Sequence, residues 1–157
     1  MKMTIRAEEP TSRDVAELLA AHLAFSRAAS PADHVHALDL KELSTNNVSF
    51  FVARAGSELL GVGALRDLDG GRGEIKSMHT STTARGRGVG RALLGHLIST
   101  ARDREMTWLG LETGSMDEFA PARDLYQSSG FVPCEPFGSY TRNPFSMCMG
   151  MNLVVFE

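Results

Sequence analysis

Arg85-Gly86-Arg87-Gly88-Val89-Gly90-Arg91 constrains this chain more than any other stretch, because three alternating glycines run straight into a leucine-rich segment. Glycine enters the left-handed backbone region without steric cost, so such a loop can turn several N–H groups toward one point. Leu93, Leu94, Leu97, Ile98 and Ala101 then recur at helical spacing, which predicts a core-anchored helix opening at the loop. The first turn of that helix offers unpaired N–H donors and the positive end of the helix dipole. With three arginines around the same point, the segment predicts a grip on a phosphorylated ligand, a pyrophosphate above all. Gly/Arg-rich stretches also form flexible RNA-binding tails, but here ordered elements bracket the segment on both sides.

Spacing separates the phosphate-binding motifs. A P-loop requires Gly-x-x-x-x-Gly-Lys-Ser/Thr, and no lysine or hydroxyl follows these glycines in that frame. A dinucleotide fingerprint requires Gly-x-Gly-x-x-Gly, and position 91 is arginine; the acidic partner would fall at Asp103 or Glu105, in the helix or at its end. What remains is Arg-x-x-Gly-x-Gly, carried by Arg85, Gly88 and Gly90, at a strand–loop–helix junction.

The bulk properties narrow the partners. A net charge of −3 gives no general attraction for nucleic acid. Three of the 13 arginines sit in the glycine loop, as expected of a local anion site in an acidic protein. Met1 to Arg6 lacks the apolar core of a secretory signal, and no stretch approaches the roughly 20 apolar residues of a membrane span. Cys134 and Cys148 lack metal-ligand spacing, so neither a disulfide scaffold nor a metal site is expected, and the reading is a cytoplasmic protein with free thiols.

At 157 residues, without a repeat or linker, the chain reads as one domain over 1–157. Met3 to Ala7 predicts a first strand. Thr11-Ser12-Arg13-Asp14 opens a helix with Val15, Leu18, Leu19, His22 and Phe25 on one side. Ser30-Pro31-Ala32-Asp33 starts a second helix running to about Leu43. Strands are expected at 48–55 and 59–65 about a turn at Gly56-Ser57, then from Glu74, around Trp108, at 131–134 and at 146–156. A hairpin group followed by strand–helix–strand units predicts an α/β fold with a mixed sheet and helices on both faces.

Three stretches in order with the loop make the chain resemble the GNAT superfamily of acyl-CoA-dependent N-acyltransferases. Glu74-Ile75-Lys76-Ser77-Met78-His79-Thr80 resembles that family's fourth strand, Leu109-Gly110-Leu111-Glu112-Thr113 its fifth, and Ala122 to Phe131, with Tyr126 and the Gly130-Phe131 stop, its fourth helix. The resemblance implies a mostly antiparallel sheet of about seven strands whose central parallel pair splays apart to admit a pantetheine arm. It implies acetyl-CoA as cosubstrate, gripped by Arg85, Gly86, Arg87, Gly88, Val89, Gly90 and Arg91 and by the backbone of Met78, His79 and Thr80. The activity implied is transfer of the acetyl group to a primary amine, from a small molecule or a peptide, by direct transfer in a ternary complex. Closing strands of this kind support homodimers in the family.

Such a transfer needs a proton for the departing thiolate and an amine without its own. The resemblance assigns the acid to Tyr126, which otherwise reads as a core tyrosine on an amphipathic helix. Glu74 and Glu112 are the candidate bases, with a water chain as the remaining route. His34 and His36 lie where the family walls its acceptor site, or are surface residues. His79 is expected to point opposite Met78 and to pack rather than react. Phe137, Tyr140, Arg142 and Phe145 either line the acceptor pocket or fill a loop. Many family members carry an asparagine near the start of the tyrosine helix; Asp117 to Ala122 contains none. A non-catalytic acyl-CoA sensor is the alternative from another class.

Overall fold

The computed structural model describes residues 2–29, 43, 45 and 47–154. The expected second helix lies, apart from Leu43, outside the described residues, as do His34 and His36.

Seven strands form one sheet: β1 (Thr4–Ala7), β2 (Val48–Ala55), β3 (Glu58–Asp67), β4 (Arg72–Thr80), β5 (Trp108–Gly114), β6 (Val132–Cys134) and β7 (Ser146–Asn152). Their spatial order is β1-β2-β3-β4-β5-β7-β6, and among these described strands only the central β4–β5 pair is parallel. Among the described residues three α-helices accompany them: α1 (Arg13–Ala29), α2 (Val89–Asp103) and α3 (Ala120–Ser128).

Strand β2 shows why both faces are covered. Phe50 and Val52 pack with Val15 and Leu19 of α1, whereas the alternating Phe51 packs with Leu94 and Leu97 of α2. A strand between two helical layers buries both of its side-chain sets, which is why residues 50–53 read as a continuous apolar run. Burying each large side chain contributes roughly 1.5–3 kcal/mol. Helix α3 joins the α2 layer through Leu125, Tyr126 and the buried Phe131.

Helix α1 is pinned at its start. The Asp14 carboxylate accepts from the Val15 N–H at 2.8 Å and from the Ser12 hydroxyl at 2.7 Å. Arg54 of β2 donates to Asp14 at 2.6 Å and to Glu8 at 2.9 Å. Those bonds hold the Asp14 carboxyl well below the usual carboxylate range.

The central pair parts part-way along. β4 and β5 pair over Arg72–Ile75 and Trp108–Leu111, yet each strand continues, to Thr80 and to Gly114. A bulge in β4 accounts for the separation. Ala64 pairs with Lys76 and Val62 with His79, so Ser77 and Met78 oppose the single residue Gly63. Ser77 takes φ +57°, a left-handed conformation that costs a non-glycine residue energy and marks a local bend. On the α1 side of β5 and β7 the Trp108 ring lies flat over two strands. A Cβ at Gly110 would come within 2.2 Å of that ring and one at Gly150 within 2.6 Å, so only glycine permits this cover.

Candidate active site

Where β4 and β5 separate, a cleft of about 590 Å³ opens between the strands and runs to the start of α2. Its floor is the β4 segment Lys76–Thr80 and the β5 segment Leu111–Gly114. One end is closed by Arg85, Gly86, Gly88, Val89, Gly90 and Arg91. Met78, His79 and Thr80 line it together with Glu112 and Tyr126.

The loop end is built from backbone. Gly86 and Gly88 take φ +78° and +80°, and a Cβ at either would meet nothing, so it is the left-handed turn itself that calls for glycine. Gly88 is also the N-cap of α2, whose first turn carries no acidic residue. The N–H groups there face a mouth to which Arg85 and Arg91 add positive charge. Gly90 lets α2 approach α3, since a Cβ there would lie 3.2 Å from Leu125. Arg91 donates to Ser128 of α3 at 3.1 Å. Arg87 is not in the cleft lining; its guanidinium reaches Glu58 at 3.6 Å, at the β2–β3 turn.

The bulge adds a second polar feature. The Ser77 hydroxyl is buried, belongs to the cleft lining and has no hydrogen-bond partner among the described residues. A buried hydroxyl left unpaired costs about 1–3 kcal/mol, which a polar ligand in the cleft would recover. The amides and carbonyls of a pantetheine arm fit such a lining.

Tyr126 lies on the last full turn of α3, its ring edge-on to Phe131 with centroids 6.1 Å apart. The Phe131 N–H folds back to the Tyr126 carbonyl at 3.1 Å, closing the helix around the expected Gly130-Phe131 stop. Burial pushes the phenol up to about 12, so it keeps its proton at any physiological pH. Arg123 ties the start of α3 to the end of β5 by donating to the Gly114 and Met116 carbonyls, each at 2.8 Å.

The wall toward α1 consists of side chains. Glu74 stands outside the cleft lining and is buried. It accepts from the Tyr140 hydroxyl at 2.5 Å, while Lys76 donates to the same hydroxyl at 2.6 Å and lies 3.5 Å from the Glu74 carboxylate. Tyr140 thus joins two buried charges. Burial and the adjacent Glu74 carboxylate raise its phenol far above the ordinary value. Glu112 projects from the other strand into the cleft. Of the remaining aromatic segment, Phe145 lines the cleft, Phe137 stacks edge-on against Trp108, and Arg142 pairs with Glu135.

The two lining residues of α1 were not expected as site residues from the sequence. His22 and Phe25 continue the apolar stripe of α1 beyond the core into the cleft, where Phe25 meets Phe119 at 5.3 Å. His79 does point opposite Met78, but its Nδ1 lies 3.2 Å from the Nδ1 of His22 rather than in apolar packing. Helical spacing places His22 on the inward side of α1; that this side ends in a cleft is not written in the spacing.

A profile of the acetyltransferase (GNAT) family matches residues 15–131, three-quarters of the chain and all of the cleft except its last two lining residues, Phe145 and Ser146. The chain belongs to the GNAT acetyltransferase family. It is 44% identical to the uncharacterized N-acetyltransferase YsnE of Bacillus subtilis (strain 168) over 96% of this chain and 100% of that protein. A Klebsiella pneumoniae structure described as an acyl-CoA N-acyltransferase superposes with a TM-score of 0.79 at 29% identity, covering 97% of this chain and 98% of the other. A GNAT acetyltransferase from Elizabethkingia anophelis with acetyl-CoA bound shares the fold at 18% identity and a TM-score of 0.70, over 96% and 97% of the two chains. The parallel pair at the centre of a seven-stranded mixed sheet is the GNAT architecture. Among the described residues, no group of three or more His, Cys, Asp or Glu is arranged to hold a metal ion, and no helix is long and apolar enough to cross a membrane.

Proposed function

We propose that this single domain, residues 1–157, transfers an acetyl group from acetyl-CoA to a primary amine, with both substrates bound together and no acyl-enzyme formed. The observation that carries the reading is that the anion-ready loop and the parted strands open into one cleft that Tyr126 also lines. The loop N–H groups and Arg85 grip the pyrophosphate. The backbone of Met78, His79 and Thr80, freed from β5 by the bulge, pairs with the pantetheine amides, and an N–H there polarises the thioester carbonyl. Arg87 contributes to the same positive field from its place beside Glu58. Tyr126 donates its proton to the departing thiolate.

Of the two carboxylates expected to act on the amine, Glu112 lines the cleft, and it supplies the negative charge that draws in the acceptor ammonium. Glu74 is engaged with Tyr140 and Lys76, and its role is to hold that wall in shape. The acceptor is a small-molecule or peptide amine, and the expected setting is the cytoplasm. A fold neighbour that holds acetyl-CoA supports the choice of cosubstrate.

Calorimetric titration with acetyl-CoA, CoA and ATP tests the reading, on the wild type and on an Arg85→Ala/Arg87→Ala variant. Micromolar acetyl-CoA binding that the variant weakens, with no ATP binding, is the expected outcome. Thiol release with a panel of primary amines then separates a transferase from a non-catalytic acyl-CoA sensor, which binds equally and releases none.

A further inference from the structure

Two imidazoles from different elements meet in the cleft, one on α1 and one on β4. We propose that His22 and His79 form a proton relay that takes the proton of the acceptor amine and carries it out of the cleft. The inference rests on the acetyl-transfer reading above and names the groups that prepare the amine.

The geometry sets the proton positions. The Nδ1 atoms are 3.2 Å apart, and the rings meet edge-on at 65° with centroids 5.0 Å apart. Two N–H groups pointing at each other would clash, and two lone pairs would repel, so a single proton lies between them. Two neutral rings sharing it are opposite tautomers. One carries N–H on Nδ1 and a lone pair on Nε2; the other accepts at Nδ1 and carries N–H on Nε2. The pair therefore presents one accepting and one donating Nε2, and both side chains line the cleft.

The surroundings keep both rings neutral. Lys76 on β4 faces His22 and Arg85 of the loop faces His79, while Glu112 and Glu118 line the same cleft. Burial and the neighbouring charge lower His22 to about 4, and burial with Arg85 lowers His79. Such a pair passes a proton and does not store one. An N–H bond of the ammonium breaks as an Nε2–H bond forms on the first ring. That ring's Nδ1 proton crosses to the second ring, and the second ring's Nε2 proton leaves to water. The amine lone pair is freed and no charge remains on the pair; the starting tautomers return when water takes the first ring's Nε2 proton and supplies one to the second ring's Nε2 while the Nδ1 proton crosses back.

Nitrogen-15 NMR of the histidine rings in the wild-type protein at pH 7, with acetyl-CoA added, reads the arrangement without an acceptor. The expected result is one Nδ1–H ring and one Nε2–H ring; two Nε2–H rings, or an imidazolium, overturn the relay. Turnover is read on His22→Gln and His79→Gln with the best amine of the panel. kcat at pH 7 should fall on the order of 10²-fold while the acetyl-CoA Kd and the amine KM hold, and the deficit should shrink as pH rises toward the amine's own pKa. A loss that is equal at every pH, or no loss, overturns the relay alone. A wild type that binds no acetyl-CoA and turns over no amine overturns the transferase reading and the relay with it.

Discussion

The loop end of the cleft binds through main chain, whereas the wall facing α1 acts through side chains drawn from α1, β4, β5 and the segment before β7. The first comes from one continuous stretch, with two left-handed glycines and the opening of α2. The second depends on His22 meeting His79 and on Tyr140 meeting Glu74 across 66 residues of sequence. A main-chain site tolerates many side-chain changes and fails at particular glycines. A side-chain wall fails whenever one partner of a buried pair is lost.

Substitutions can break either end separately. Tyr126→Phe should give the largest effect, a drop in kcat of about 10²–10⁴-fold with acetyl-CoA binding retained, measured by thiol release and calorimetry. An unchanged kcat would return Tyr126 to the role of a core aromatic. Glu74→Ala leaves Lys76 buried without its carboxylate and should destabilise the fold by about 3–5 kcal/mol, seen as a lower urea midpoint. Loop affinity measured where the variant is still folded should be little changed. Gly88→Ala forces a Cβ into the left-handed turn at a cost of roughly 1–2 kcal/mol and should weaken acetyl-CoA binding without touching the His22–His79 NMR signals.

The last effect is one of pH. His22 is lowered from 6.5 to about 4 in the folded protein, so the unfolded chain binds the proton first on acidification. Its contribution is present above about pH 6.5 and is lost as pH falls toward 4. His22→Phe should remove that part of the acid sensitivity. Asp14, also depressed in the folded state, loses its contribution only below the ordinary carboxylate range, near 4 and under. A stability profile in urea against pH separates the two windows.

Much of the fold was legible in the chain. The apolar run of β2, the helical spacing after Val89, and the glycine stops at the turns each reflect local rules, and the described elements formed within a few residues of where those rules place them. The expected strand from Glu74 begins at Arg72, and the final strand ends at Asn152 rather than running on to 156; residues 155–157 lie outside the described residues. The site was legible where it is continuous. Arg85 to Arg91 carries its own geometry, and the tyrosine helix carries its own stop. Lys76 and His22 gave no such signal, because a lysine within a strand and a histidine on an apolar stripe are equally compatible with surface and core.

By itself, then, the sequence determined the elements, the anion loop and the family they resemble, since backbone conformation and burial periodicity act over a few residues. Tertiary structure decided which side chains face one another across the cleft. One extra residue at Ser77 bends β4 away from β5, and that bend opens the space into which α1 brings His22 and the chain before β7 brings Phe145. A contact between residues far apart in sequence depends on strand register and helix placement together, and no local pattern encodes either.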